Sequence, residues 1–164
     1  MNKVAIYPGT FDPFTNGHLD LVERGLRLFD KIILGIANNP SKKPLFTLEE
    51  RLALARKSML HLEGRVEVES FEGLLVDYAA TKGVKAVIRG LRAVSDFEFE
   101  MQMALMNRKM VNSLETVFLM PSLRYIFLSS TIVKEVASYG GPVEGLVPDV
   151  VIAAMSEKFG QKDK

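Results

Sequence analysis

The stretch Tyr7-Pro8-Gly9-Thr10-Phe11-Asp12-Pro13-Phe14-Thr15-Asn16-Gly17-His18 limits what this chain can become more than any other part of it. It joins a short apolar run, Val4 to Tyr7, to an amphipathic segment beginning near Gly17, so it reads as a strand feeding a helix through a turn of small residues. At a helix start, unpaired backbone N–H groups and the positive end of the dipole favour an anion. Gly9 and Gly17 lack the Cβ that would hold a nucleotide off the main chain. Thr10, Thr15 and Asn16 offer neutral donors, and His18 puts an imidazole in the first helical turn, where it can face a phosphoryl group. The plain alternative is an exposed histidine on an ordinary strand, turn and helix; the glycine pair and Thr10 weigh against it. The chain contains no G-x-x-x-x-G-K-S/T and no G-x-G-x-x-G, which excludes Walker ATPase and dinucleotide oxidoreductase chemistry.

Beyond that turn, Leu19, Val22, Leu26 and Phe29 recur at helical spacing. Ile32 to Ala37 is apolar throughout and suits a central strand covered on both faces. A loop, Asn38 to Pro44, leads to Thr47-Leu48-Glu49-Glu50, a capping box opening a helix that Gly64 stops. Val66 to Glu69 alternates as a strand nearer an edge, Leu74 to Lys82 reads as a helix, and Ala86 to Ile88 as a strand. Ser95-Asp96-Phe97-Glu98 offers a second capping box for a helix to about Val111, and Thr116 to Met120 is the fifth strand. Ser129-Ser130-Thr131 can cap a helix reaching about Tyr139, and the last helix spans Asp149 to Phe159. Five strands alternating with helices predict an α/β fold: a single Rossmann-like domain with a five-stranded parallel sheet and helices on both faces. Ligands in such sheets sit beyond the carboxyl ends of the strands. Thr10, Lys42, Arg89 and the Ser129 region all follow different predicted strands, so they can converge on one crevice.

Composition narrows the partners. A chain of 164 residues, 48% hydrophobic, is long enough for one well-buried core and too short for two large ones, so one domain is expected over 1–160 with a frayed tail over 161–164. Lys and Arg total 21 against 20 Asp and Glu, which gives no support for a nucleic-acid surface and leaves small anions as the expected ligands. No cysteine means no disulfide, thiolate nucleophile or Cys-based zinc site, and two distant histidines argue against a protein-built metal cluster. The longest uncharged run, Ile32 to Ser41, is far below a membrane span, and a cytoplasmic setting is expected.

Candidate ligand residues differ in how well spacing supports them. Arg89 and Arg92 lie beside Gly90 directly after a buried strand, where a guanidinium can hold phosphate bidentately; structural salt bridging is the lesser alternative. Lys42 sits in a loop rich in turn formers, and spacing does not choose between it and Lys43. Glu100 can accept from a ribose or amine, but one turn into a helix it reads first as an exposed glutamate. Ser129, Ser130 and Thr131 put three hydroxyls at a helix start, where an ordinary N-cap needs one.

Gly9-Thr10-Phe11-Asp12 with Thr15-Asn16-Gly17-His18, and Leu128-Ser129-Ser130-Thr131-Ile132-Val133-Lys134 much later, resemble the two motifs of the nucleotidylyltransferase superfamily. Tyr-Pro-Gly-Thr-Phe-Asp-Pro at 7 to 13, Ser-Lys-Lys-Pro at 41 to 44, Phe-Thr-Leu-Glu-Glu-Arg at 46 to 51 and Ile-Arg-Gly-Leu-Arg at 88 to 92 are most similar to its phosphopantetheine adenylyltransferase family. The resemblance implies transfer of AMP from ATP to 4'-phosphopantetheine, giving dephospho-coenzyme A and pyrophosphate. It further implies Mg2+ held mainly by phosphates with no metal ligand from the protein, coenzyme A as a feedback ligand, and a homohexamer. In the family's pattern His18 is the transition-state stabiliser, with Thr10, Lys42 and Arg92 also catalytic. ATP is met by Thr10, Phe11, His18, Gly90, Leu91, Arg92, Glu100 and the run Tyr125, Ile126, Phe127, Leu128, Ser129, Ser130 and Thr131. The acceptor is met by Thr10, Lys42, Leu75 and Arg89. The charge state of His18 stays open, because a helix start disfavours the cation and a triphosphate favours it.

Rival readings are weaker. An adenylyltransferase for nicotinate mononucleotide typically has His where Thr15 stands and lacks the Ser-Lys-Lys-Pro and Arg-Gly-Leu-Arg runs; a non-catalytic nucleotide sensor would not need His18, Lys42, Arg89 and Arg92 intact. Met101, Met103, Met106 and Met110 read as adaptable core filling, with an assembly interface as the alternative.

Overall fold

The computed structural model describes residues 3–160, so the tail expected over 161–164 lies outside the described residues. Strands β1 (Val4–Gly9), β2 (Lys31–Ala37), β3 (Val66–Phe71), β4 (Ala86–Gly90) and β5 (Glu115–Leu119) form one sheet in the order β3-β2-β1-β4-β5. Every pairing is parallel, with β1 and β2 in register from Val4 opposite Lys31 to Gly9 opposite Ile36. Helices α1 (Asn16–Gly25), α2 (Leu48–Ser58), α3 (Leu75–Thr81), α4 (Val94–Met110), α5 (Ser130–Ser138) and α6 (Asp149–Phe159) complete the alternation.

The two-residue period of the strands sorts side chains between two cores. Ala5, Tyr7, Ile32 and Leu34 pack with Leu21, Val22 and Leu26 around α1, together with Ala55 of α2. Ile6, Ile33 and Val87 point the other way, onto Val76 and Ala79 of α3. A third cluster, including Phe46, Leu54, Val133, Val151 and Met155, ties α2, α5 and α6 together. β2 is buried along its interior and β3 only half-buried, as a central and an edge strand should be.

The chain builds one half of the sheet outward from β1 to β3 and returns to begin the other half at β4, so β1 and β4 flank the switch point where a crevice opens beyond the carboxyl ends of the strands. Several boundaries differ from the sequence expectation. α1 stops at Gly25 because Leu28 N and Phe29 N both turn back to the Gly25 carbonyl, so Phe29 follows the helix. α2 ends at Ser58, with a 3-10 turn at Leu60–Leu62 before Gly64. β4 runs on through Gly90, which makes Arg89 a strand residue. α4 opens at Val94 after Ala93, an N-cap with no side-chain acceptor, rather than through the capping box expected at Ser95.

The four methionines of α4 do not fill a core: Met101, Met103, Met106 and Met110 are 39%, 43%, 55% and 44% exposed. They stand outward with Phe99 and Leu105 on a helix that has apolar residues all round.

Candidate active site

A cavity of about 440 Å³ occupies the crevice beyond β1 and β4. Thr10, Lys42, Arg89 and Ser129 to Thr131, which follow or end four different strands, all line it. The convergence expected from sequence is therefore realised. A second cavity of about 280 Å³ lies alongside and shares Pro8, Gly9, Thr10, Lys42, Arg89 and Glu100 with the first. Leu75 lines the second cavity, together with Phe71, Phe99 and Met103. Lys42 belongs to both, whereas Lys43 takes a left-handed conformation (φ 45°) at the end of the Pro40–Lys42 turn. Lys43 is not among the residues that line either cavity.

His18 is set by the helix start. Thr15, the N-cap of α1, accepts from His18 N, while its own N–H donates to His18 Nδ1 at 3.0 Å. A nitrogen that accepts carries no proton, so a neutral ring here bears its hydrogen on Nε2. Burial in the crevice wall, then the Arg92 and Arg89 guanidiniums, lower its pKa to about 3. Phe11 closes the ring in from one side at 4.9 Å between centroids and Phe14 from another at 5.6 Å.

Two expected donors are engaged within the protein. Thr15 is spent on the cap, and the Asn16 side chain donates to Gly145 O at 2.9 Å, which anchors α1 to the loop before α6 instead of facing an anion. Phe11 is buried with φ 50°, so its backbone, not its ring, is what can meet a ligand. Gly9 lacks a Cβ for a different reason from the one expected: a Cβ there would sit 2.9 Å from the Phe11 ring, whereas at Gly17 it would meet only ordinary contacts at 3.5 Å.

Glu100 is not the exposed helical glutamate its position suggested. It is buried, and both its oxygens accept from Arg89, at 2.7 Å from Nε and 2.6 Å from Nη2. Arg89 also donates from Nη1 to Pro8 O at 2.9 Å. The lesser alternative for Arg89, a structural ion pair, is therefore present at the cavity wall. Arg92 pairs with Asp96 and donates to Leu128 O at 3.0 Å, which links the end of β4 to the start of α5.

The α5 start divides its hydroxyls. Ser129 caps the helix by accepting from Ile132 N, Ser130 donates to Pro13 O, and Thr131 is exposed. Ser130 and Thr131 N–H have no intrahelical acceptor, which suits an anion. Gly90, Tyr125 and Leu128 also line the larger cavity. Leu91, Ile126 and Phe127 are not among its lining: Leu91 N donates to Leu119 O as the sheet continues, and Phe127 is exposed at the surface.

Sequence reasoning missed the supports of this site. Asp12, buried, accepts from Leu45 N and Phe46 N and pairs with Lys134 at 2.8 Å. Arg51, also buried, donates from one nitrogen to both Thr10 O and Ala37 O. Their partners lie 14 to 122 residues away, where no local pattern reaches. Phe99, Met103, Ala104 and Asn107 lie one helical turn apart on the same stripe of α4 as Glu100, the one signal that could have found the second cavity.

Among the described residues no group of three or more His, Cys, Asp or Glu could hold a metal ion. The crevice carboxylates Asp12, Asp96 and Glu100 are each engaged by a cation. This donor set fits a metal that arrives on a ligand's phosphates rather than one seated by side chains. No described helix is long and apolar enough to cross a membrane.

Residues 6–136 match the family model described as cytidylyltransferase-like. Phosphopantetheine adenylyltransferase of Anaeromyxobacter sp. (strain K) is 55% identical over 161 residues, 98% of each chain. The protein of the same name in Dictyoglomus thermophilum is 55% identical over 160 residues, covering 98% of this chain and 97% of its own. The fold matches a Vibrio parahaemolyticus protein described as a nicotinate-nucleotide adenylyltransferase, with TM-score 0.72, 15% identity and coverage of 99% and 98%. It also matches a bifunctional NMN adenylyltransferase/ADP ribose pyrophosphatase from Francisella tularensis, with TM-score 0.71, 14% identity and coverage of 97% and 52%. With a family model spanning most of its length and relatives more than half identical across nearly all of it, the chain belongs to the cytidylyltransferase-like family and, within it, to the phosphopantetheine adenylyltransferases.

Proposed function

We propose that this chain transfers AMP from ATP to 4'-phosphopantetheine, giving dephospho-coenzyme A and pyrophosphate. The observation that carries the reading is the pair of joined cavities. The larger has two helix starts and two arginines on its walls, as a triphosphate requires; the smaller is walled largely by apolar side chains and ends at the cationic seam, as a phosphate on a long neutral arm requires. Thr10, Lys42 and Arg89 stand at that seam, where the two substrates would meet.

In the proposed reaction an oxygen of the acceptor phosphate attacks the α-phosphorus of ATP, and the bond to the β-phosphate oxygen breaks as pyrophosphate leaves. A phosphate monoester has a second pKa of about 6, so the attacking oxygen needs no general base. The task left to the protein is to align two polyanions and stabilise charge as it moves from nucleophile to leaving group. Neutral His18 would donate from Nε2–H to the α-phosphate, with Thr10 beside it. Lys42 and Arg89 would hold the acceptor phosphate, while Arg92 and the α5 start would take the β- and γ-phosphates. Magnesium would come with ATP and offset charge on the departing pyrophosphate.

Product dephospho-coenzyme A, and coenzyme A itself, would occupy the same two cavities. A cytoplasmic homohexamer is part of this reading, and the outward apolar side chains of α4 support assembly; sedimentation of only an 18.3 kDa species would refute it. Pyrophosphate release with MgATP, compared between 4'-phosphopantetheine, nicotinate mononucleotide and no acceptor, tests the reaction. Release with the mononucleotide alone would overturn the acceptor, and release with neither would overturn the enzyme.

A further inference from the structure

The segment that joins β5 to α5 supplies part of the larger cavity's wall, Pro121, Tyr125 and Leu128, yet apolar packing holds little of it. Pro121 and Leu128 are buried, but Leu123 is 85% exposed, and Met120, Arg124 and Phe127 also face outward. Polar bonds to α1 take up that task. The Asp20 side chain, mostly buried, accepts from Ser122 N at 2.7 Å through Oδ2 and from the Ser122 hydroxyl through Oδ1. Arg24, one turn further along α1, donates from Nη2 to Ser122 Oγ at 2.8 Å and from Nε to Asp20 Oδ2 at 3.0 Å. Burial alone would raise the Asp20 pKa, but the bonds from Ser122 and Arg24 outweigh it and hold the carboxyl below its ordinary value, so an ionised acceptor stands there at neutral pH. The clasp passes its position on to the cavity: Ser122 O accepts from Tyr125 N at 2.8 Å, Tyr125 O from Leu128 N at 3.0 Å, and Leu128 O from Arg92 Nη1 at 3.0 Å.

We infer that Asp20, backed by Arg24, is a positioning residue for the nucleotide, which holds the segment from Met120 to Leu128 through Ser122 in the conformation that walls the larger cavity. Asp20, Arg24 and Ser122 are not among the residues that line either cavity, so they act through Tyr125 and Leu128. A wall that is already formed spares the ligand the cost of ordering it. When only a fraction of the molecules hold the competent conformation, the apparent dissociation constant rises by the inverse of that fraction, while the complex once formed is the same. The clasp therefore bears on ATP affinity. It leaves the chemical step to His18, whose ring is held by its own bonds with Thr15 on the same helix.

The inference rests on the reading of the larger cavity as the ATP side, and two measurements separate the two. Steady-state kinetics, with each substrate varied in turn, and calorimetric titration of MgATP are carried out on wild type, D20A, S122A and D20A/S122A. Asp20→Ala removes both bonds from Ser122 and the one from Arg24. It should raise KM and Kd for ATP about 10-fold, with kcat within about threefold and KM for 4'-phosphopantetheine within about twofold of wild type. Ser122→Ala keeps the bond from its backbone N–H and should lose less. The double variant should be no worse than D20A, because both act through one clasp. Asp20→Asn, which keeps one acceptor oxygen, should recover part of the loss, and it carries the test if D20A does not fold. Loss of folded enzyme alone lowers kcat and leaves both KM values unchanged; that pattern, a rise confined to the acceptor KM, or losses that multiply in the double variant would overturn the inference. If wild type binds MgATP but releases no pyrophosphate, the proposed reaction falls, while a Kd raised by Asp20→Ala still upholds the clasp. Failure of wild type to bind MgATP would overturn both.

Discussion

Thr15 and His18 close a reciprocal capping box in which an imidazole takes the place usually held by a Glu or Gln side chain: Thr15 N donates to His18 Nδ1 at 3.0 Å and His18 N donates to Thr15 Oγ1 at 3.3 Å. The interaction that starts α1 therefore also selects the tautomer of the residue that faces the crevice. Local structure and chemistry are decided by the same two bonds.

Because burial and the two arginines hold its pKa near 3, His18 should stay neutral throughout the working range. Nitrogen chemical shifts should report a bare Nδ1 and a protonated Nε2 down to about pH 4. The stability consequence has a definite sign. Between about 3 and the ordinary value of 6.5 the unfolded chain binds the proton and the folded one does not, so this residue makes stability rise with pH across that window and adds no slope above it. Wild type minus His18→Asn, measured by urea unfolding at pH 5 and pH 7.5, should show that slope. An imidazole titrating near 6.5 in the folded protein would sink the assignment.

Replacing His18 with Ala should lower kcat by roughly 100- to 1,000-fold, the usual loss for one donor to a transition state, with KM for ATP changing far less. The half of the capping box in which Thr15 N donates to His18 Nδ1 is lost as well, at a cost of about 1 kcal/mol, so folding should be checked by thermal unfolding. An unchanged kcat removes His18 from the chemistry.

Gly9 and Gly17 look equivalent in the sequence and should behave differently. A Cβ at Gly9 enters the Phe11 ring at 2.9 Å, and that ring is backed by His18 and Phe14. Gly9→Ala should therefore cost about 1–3 kcal/mol and depress kcat by displacing the imidazole. Gly17→Ala, inside a helix with ordinary contacts at 3.5 Å, should leave stability unchanged or raise it by up to about 1 kcal/mol. Equal destabilisation of the two variants would refute the packing argument.

What could be read in the sequence follows the range of the forces involved. Strand β2, the Thr47–Glu50 capping box, the Ser129 cap and α6 are set by neighbours within a few residues, and they stand where the pattern put them. So does the convergence of Thr10, Lys42, Arg89 and Ser129, because it follows from parallel strands alone. α4 failed as a pattern because apolar residues surround it; periodicity could not tell that Glu100 turns inward and Met106 outward. The partners of Asp12 and Arg51 were beyond reach because tertiary folding, not local spacing, brings them together.

Arg51 tests that hidden layer. Its guanidinium holds the carbonyls of Thr10 and Ala37, the ends of β1 and β2, at 2.9 and 3.0 Å. Arg51→Met leaves both acceptors without this donor, and a buried polar group left unsatisfied costs about 1–3 kcal/mol. Urea unfolding should show a loss of about 3 kcal/mol, with kcat falling because Thr10 shifts. Arg51→Lys, which can still reach a carbonyl and does not carry the unpartnered Nε of the arginine, should recover part of both. Wild-type stability and turnover in Arg51→Met would refute the bridging role.

Lys42 and Lys43 give the sharpest contrast between neighbours. Lys42 lines both cavities and carries no resolved partner of its own in the described structure, so its ammonium is available to two phosphates at their seam. Lys42→Ala should lower kcat/KM for both substrates by about 100-fold, since an interaction with converging anions strengthens as they approach. Lys43 instead supplies a left-handed residue, φ 45°, to close the Pro40–Lys42 turn. Lys43→Ala should keep that strain and near-normal kinetics, while Lys43→Gly should relieve it and raise stability by up to about 1 kcal/mol. If Lys43→Ala matches Lys42→Ala in its kinetic loss, the two lysines act as a shared basic loop and the distinction drawn from the cavity walls is wrong.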